Sequence, residues 1–285
     1  MIGQKPLLKV IDMMIDGNTF PRFSVIQGED GSGKGLVVKY IAEKLKCNLV
    51  RMTNSVDSIR SVMQEAYSTA EPMIFYFADA DDMSQSARNA MLKITEEPPN
   101  NAYFILTVVN DNSLTDTIKS RANVFYMLPY TSGELIEFCK TMDMSEAEID
   151  CAREICDNPG EVIRLTENGT YKLYNFVEKV MDNIAEVTVS NALKVANNLA
   201  FVDTDVDKFD LALFWKACIM YYCRRLQSDI IDISTEELRT IARIVMSTKE
   251  CINMITKTRG INKRNVFDIW ILDVRNILGE EDGSC

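Results

Sequence analysis

The chain has 285 residues, 47% of them apolar and 26% charged, with a net charge of −11. That balance belongs to a globular protein with several buried cores and excludes wholesale disorder, collagen-like repeats and low-complexity sequence. No window approaches the roughly 18 uncharged apolar residues of a membrane-spanning helix, and residues 1–17 carry acids inside their apolar stretch, without a signal-peptide layout. The charge is uneven, because residues 131–180 hold 5 basic against 11 acidic side chains. An acidic chain is a poor stand-alone nucleic-acid binder, since phosphate affinity comes mainly from Lys and Arg.

There is no histidine, which removes His-based catalytic dyads and triads and every His-containing metal site. The eight cysteines include no C-x-x-C pair. Cys151 with Cys156, and Cys218 with Cys223, fall on apolar helical faces and read as buried thiols of a reducing, cytoplasmic compartment.

Residues 1–129 alternate between strand-like and helix-like runs. Phe23 to Ile26 reads as a strand, Leu36 to Lys46 as a helix, Leu49 to Met52 as a strand and Val56 to Tyr67 as a helix. Met73 to Phe77 is a continuous apolar run, as expected of a strand covered on both faces. Ser84 is a candidate N-cap for a helix through Ala90, Met91 and Ile94 that Pro98 and Pro99 stop, and Tyr103 to Val109 and Val124 to Leu128 complete the strands. This alternation predicts a parallel α/β sheet.

After Pro129 the pattern turns helical. Thr131-x-x-Glu134, Ser145-x-x-Glu148 and Ser234-x-x-Glu237 are capping-box signatures. The second of these opens a helix that carries Ile149, Ala152, Ile155 and Cys156 and ends at Asn158-Pro-Gly160. Residues 130–170 form a small acidic helical module, and residues 171–285 a helical bundle with a disordered tail from Gly279. The bundle's apolar stripes are Leu211, Phe214, Trp215, Cys218 and Tyr222; Leu238, Ile241 and Val245; and Val266, Ile269, Trp270 and Val274.

The sharpest motif is Gly28-Glu-Asp-Gly31-Ser32-Gly33-Lys34-Gly35, the G-x-x-x-x-G-K spacing of a phosphate loop between a strand and a helix. Glycines let successive backbone N–H groups turn toward phosphate oxygens, the helix N-terminus adds partial positive charge, and Lys34 reaches the outer phosphates. The next position calls for a Ser or Thr hydroxyl to ligate Mg²⁺ and holds Gly35 instead. A second metal contact belongs at the end of a later strand, in Ala78-Asp79-Ala80-Asp81. Aligned on the usual D-E-A-D order, Ala78 stands where the metal-binding Asp belongs and Asp79 where the water-activating Glu belongs. Shifted by one, Asp79 becomes the metal ligand and Ala80 the lost base. Either way one acid is missing in addition to the hydroxyl, which predicts poor or no hydrolysis.

Several ordered segments resemble AAA+ clamp-loader subunits of the DNA polymerase III delta-prime type. They are Ile2-Gly-Gln4, Val56-Asp-Ser-Ile-Arg60, Asn89-Ala-Met-Leu-Lys-Ile-Thr-Glu-Glu-Pro-Pro99, Thr117-Ile-Lys-Ser-Arg-Ala122 and Asp157-Asn-Pro-Gly-Glu-Val-Ile-Arg-Leu165. The resemblance implies a P-loop AAA+ α/β domain (residues 1–129), a helical lid (130–170) and an all-α collar for oligomerisation (171–285). It implies that Arg121 acts as a finger in a neighbouring subunit's ATP site, stabilising charge on the transferred phosphoryl group. It makes Arg88 and Lys93 candidates for contact with the DNA backbone. Gly160 stands at the lid position where active loader ATPases hold a γ-phosphate-sensing arginine. Only Cys47 lies where bacterial relatives carry a four-cysteine zinc module, so no zinc or other metal site is expected. The implied protein requires no cofactor and leaves room for ATP or ADP without productive Mg²⁺. Its partners are other clamp-loader subunits, the sliding clamp and, only through the assembly, primer-template DNA; no membrane is involved. The other readings are an active AAA+ ATPase with a rearranged metal site and a AAA+ scaffold outside replication.

Overall fold

The computed structural model describes residues 2–68, 71–96, 98–99, 101–168, 210–228, 233–258 and 261–279, with a few single positions between 173 and 184. The disordered tail expected after Gly279 and most of residues 171–209 lie outside the described residues. The chain packs as two units, residues 1–138 with 157–160, and residues 139–156 with 161–285.

The first unit is built on a five-stranded sheet in the order β2-β3-β4-β1-β5, every neighbouring pair parallel. The strands are β1 (Phe23–Gln27), β2 (Asn48–Met52), β3 (Met73–Phe77), β4 (Ala102–Val108) and β5 (Asn123–Tyr126). Between them run α1 (Lys5–Asp16) before β1, then α2 (Lys34–Leu45), α3 (Val56–Ser68), α4 (Gln85–Glu96) and the short α5 (Asp116–Lys119). The α1 helix and α5 are not among the sequence expectations. The strands expected from the apolar runs are present within one or two residues of their predicted ends.

Side-chain alternation splits the strands between two cores. Phe23, Val25, Phe75, Phe77, Phe104 and Leu106 face one side, where Ile59 and Val62 of α3, Ala87 and Met91 of α4 and Ile118 of α5 cover them. Ile26, Ile74, Ile105 and Phe125 face the other, against Leu7 and Ile11 of α1 and Val37, Val38 and Ile41 of α2. A strand buried on both faces has no polar side to show, which is why β3 reads as an unbroken apolar run. Ser84 caps α4, its Oγ accepting from the Ala87 N–H at 3.2 Å.

The second unit is helical in its described parts. They comprise α7 (Glu146–Ile155), α9 (Leu211–Ser228), α10 (Thr235–Lys257) and α11 (Lys263–Gly279); α6 (Ser132–Thr141) and α8 (Pro159–Asn168) run across the unit boundary. Ser145 and Ser234 form complete capping boxes with Glu148 and Glu237. Asn158-Pro-Gly160 does more than stop α7, because Pro159 is the first residue of α8, where a proline's missing N–H costs nothing. Phe214, Trp215, Phe267 and Trp270 form an aromatic core with ring centroids 5.6–6.4 Å apart. Leu238 and Ile269 point outward at 48% and 59% exposure, contrary to the stripes drawn from the sequence, and Cys223 is only half-buried. At helical spacing each of these three sits at the margin of its apolar stripe, and the packed side is the narrower one.

Candidate nucleotide cleft

The phosphate loop leaves the C-terminal end of β1, and α2 starts at Lys34 with Gly33 before it in the left-handed region (φ 91°). Gly31 also has a positive φ of 83°, so the two glycines permit the reversals the loop needs. Lys34 is buried, and its Nζ donates to the carbonyls of Gly28 at 2.8 Å and Glu29 at 2.9 Å, folded back over its own loop. Ser32 Oγ donates to the Glu29 carbonyl at 2.7 Å. A Cβ on Gly28 would lie 2.5 Å from the Met127 side chain, so that position admits only glycine.

The loop is braced from outside. Tyr130 donates its hydroxyl to the Ser32 carbonyl at 2.9 Å, and its ring lies so close to Gly3 that a Cβ there would be 2.6 Å away. Burial pushes the Tyr130 phenol pKa up and keeps it a donor. Gln4 closes the brace: its amide nitrogen donates to the Leu128 carbonyl at 2.7 Å and its oxygen accepts from the Leu128 N–H at 2.8 Å. The Ile2-Gly-Gln4 segment thus ties the chain's start to the segment after β5 that carries Tyr130. On the other side the Gly160 N–H donates to the Gly31 carbonyl at 3.0 Å, backbone directly on backbone.

A cleft of about 470 Å³ opens beside the loop, lined by Asp30, Gly31, Gly33 to Lys39 in part, Leu49, Arg51, Tyr76, Asp79 and Thr107. Its position at the carboxyl ends of parallel strands is where open α/β sheets bind ligands. Tyr76, Lys39 and Arg51 were not singled out by sequence reasoning. Tyr76 sits in a run that reads as pure core, and Arg51 acquires its place only from the register that pairs it with Tyr76 across β2 and β3.

The acidic motif is spread over different tasks. Ala78 and Ala80 are buried, and neither offers a ligand. Asp79 lines the cleft in a left-handed conformation (φ 51°), and its N–H donates to Thr107 Oγ1 at 3.2 Å. Asp81 is a structural clamp: its carboxylate accepts from the N–H groups of Val109 and Asn110 at 2.9 and 3.2 Å and from Ser113 Oγ at 3.0 Å. A magnesium site of the usual P-loop kind does not fit these residues. Gly35 brings no hydroxyl and Ala78 brings no acid, and the Tyr76 hydroxyl would stand in ordinary contact, 3.5 Å, with a Cβ on Gly35. Among the described residues no group of three or more His, Cys, Asp or Glu side chains could hold a metal.

Arg121 follows α5 and precedes β5. Its Nη1 donates to the Thr117 carbonyl at 2.9 Å, and Nη2 pairs with Glu96 Oε1 at 3.5 Å. Because β5 runs parallel to β1, with Asn123 level with Ser24 and Tyr126 level with Gln27, Arg121 lies at the amino-terminal end of the strands and the phosphate loop at their carboxyl end. At about 3.3 Å per residue the five or six intervening levels span roughly 16–20 Å. The site residues therefore fall into two places: Gly28, Gly31, Ser32, Gly33, Lys34 and Gly35 at one end of the strands, Arg121 at the other. Arg88 is half-buried and donates to the Asp81 carbonyl at 3.3 Å, whereas Lys93 is exposed.

Comparison with known proteins follows this geometry. The family model described as DNA polymerase III, delta subunit matches residues 51–131. The DNA polymerase III subunit delta' of Buchnera aphidicola subsp. Baizongia pistaciae is 25% identical over 247 residues, 79% of this chain and 71% of that protein. The delta' subunit of Escherichia coli K12 is 31% identical over 125 residues, 42% of this chain and 37% of that one. A solved DNA polymerase III gamma subunit-related protein of Thermotoga maritima superposes with a TM-score of 0.52 at 16% identity, over 95% of this chain and 99% of its own, and shows the fold. Sheet order and phosphate loop define a P-loop α/β fold that the Thermotoga maritima protein shares. In sequence the chain is similar to delta' subunits of DNA polymerase III. Among the described residues no helix is long and apolar enough to cross a membrane.

Proposed function

We propose that this chain is a hydrolysis-deficient clamp-loader subunit of DNA replication that lends Arg121 to a neighbouring ATPase subunit while a sliding clamp is loaded. The observation that carries this reading is the separation of Arg121 from the chain's own phosphate loop, at opposite ends of neighbouring parallel strands. An arginine so placed cannot serve its own cleft, and among the described residues its half-exposed guanidinium is held by one carbonyl and a long ion pair with exposed Glu96. The missing hydroxyl at Gly35 and missing acid at Ala78 support the loss of turnover. The division into residues 1–129, 130–170 and 171–285, the collar's role in hetero-oligomerisation and a cytoplasmic location belong to the same proposal. So does contact with DNA, for which exposed Lys93 is the better candidate now that Arg88 is engaged by the Asp81 turn.

The test has two arms. The isolated chain should show no ATP turnover above background; turnover that disappears in Lys34→Ala would instead favour an active ATPase with a rearranged metal site. In an assembly reconstituted with the other loader subunits, Arg121→Ala should lower ATPase by about a thousandfold or more at the interface it serves, while assembly persists. An unchanged rate would reject the finger.

A further inference from the structure

Magnesium does three things in a P-loop site: it holds the outer phosphates, neutralises their charge and fixes their geometry. The cleft has lost the hydroxyl and one of the acids that hold the ion, yet it is neither empty of positive charge nor of donors. In register on neighbouring strands, Arg51 of β2 and Tyr76 of β3 stand side by side, and Tyr76 lies on the same face as Ile74, toward α2. The Tyr76 hydroxyl is 3.3 Å from the buried Thr107 Oγ1, which also accepts the Asp79 N–H. It is the side-chain atom nearest to a Cβ built on Gly35, at 3.5 Å. Lys39, one turn beyond Gly35 on α2, faces the same cleft. Three cationic side chains (Lys34, Lys39 and Arg51) thus line it against two carboxylates (Asp30 and Asp79).

We infer that the cleft binds the polyphosphate of a nucleotide without a divalent cation, with Tyr76 occupying the metal's place. The Tyr76 hydroxyl, accepting from Thr107 Oγ1, donates to a phosphate oxygen that a metal would hold, and Arg51 and Lys39 supply the compensating charge. The inference rests on the proposed loss of magnesium chemistry and deepens it. Losing a hydroxyl and an acid weakens a metal site, and a tyrosine hydroxyl beside Gly35 offers the phosphates a neutral donor in the ion's stead.

Binding of the fluorescent nucleotide mant-ATP to the full chain, in EDTA and in MgCl₂, tests this, with inorganic tripolyphosphate as competitor. The wild type should bind with the same Kd in both buffers, and tripolyphosphate should displace the nucleotide. Gly35→Thr alone should remain indifferent to magnesium, because the Tyr76 hydroxyl stays in contact with the new side chain. Gly35→Thr combined with Tyr76→Val should become magnesium-dependent. Tyr76→Phe, which keeps the ring and the fold and removes one hydroxyl, should weaken binding in EDTA by about five- to tenfold, and Arg51→Ala by about two- to fivefold. Tighter binding with magnesium in the wild type or in Gly35→Thr alone would overturn the inference, as would a folded wild type that binds no mant-ATP. Neither result would touch the role of Arg121, which is read from ATPase of the assembly; turnover by the isolated chain would overturn the proposed function whatever the Kd values show.

Discussion

A Cβ on Gly160 would lie 2.3 Å from the Cα of Gly31 and 2.9 Å from its carbonyl oxygen. Both neighbours are backbone, so no side chain can swing aside to admit it. From the motif alone, Gly160 is a position where a sensing arginine is missing, and replacing it looks like a repair. The packing argues the reverse. Gly160→Arg should destabilise the chain by about 1–3 kcal/mol through overpacking and should not tighten mant-ATP binding, both measurable in thermal melts and titrations. Gln4 makes the second prediction at this scale. Its side chain is buried and satisfies both backbone groups of Leu128, so Gln4→Ala leaves a donor and an acceptor without partners. A loss of about 1–3 kcal/mol is expected in denaturant unfolding. A change within experimental error would show that water replaces the amide.

Legibility at the level of elements follows the range of the interactions that make them. The capping boxes at Ser145 and Ser234 act over three residues and were readable, as was the reciprocal pairing of Thr131 with Glu134. The double burial of β3 was readable because both covering layers leave the same local trace, an unbroken apolar run. The cleft was half readable. Its glycines and lysine are contiguous, but Arg51, Tyr76 and Thr107 come together only through pairing between strands that lie far apart in sequence. The short α5 leaves too few residues to show a period. Capping also carries a pH signature. Hydrogen bonds from Ser145 hold the Glu148 carboxyl below its usual range, and those from Thr131 do the same for Glu134. Groups whose folded pKa is depressed stabilise the protein above their unfolded pKa, and that contribution is lost as pH falls through the folded value. Helical circular dichroism should therefore fall with acid below the ordinary glutamate range, and the double variant Glu134→Gln, Glu148→Gln should flatten that dependence. An unaltered acid titration in the double variant would remove the caps from the account.

Across the whole molecule, reporters divide unequally between the two units. Both tryptophans, Trp215 and Trp270, are fully buried in the second unit, as are Cys139, Cys151, Cys156, Cys218 and Cys251, whereas Cys47 is the first unit's one cysteine. Burial pushes the thiols of Cys151 and Cys251 up to about 11 and raises those of Cys156 and Cys218 as well. A thiol so shifted carries almost no thiolate at neutral pH and is shielded by packing too. Cys223 and Cys47 are only half-buried, and at Cys47 burial raises the thiol while Arg22 partly offsets it. In a Cys285→Ser background, a disulfide reagent at neutral pH should modify Cys223 and Cys47 and leave the five buried thiols untouched. With denaturant, those five should become reactive together with the tryptophan emission shift, since the same helices bury both. Peptide mapping of the labelled chain assigns each site. If Cys151 or Cys251 reacted in the native protein as fast as Cys223, the packing of the second unit would be wrong as described.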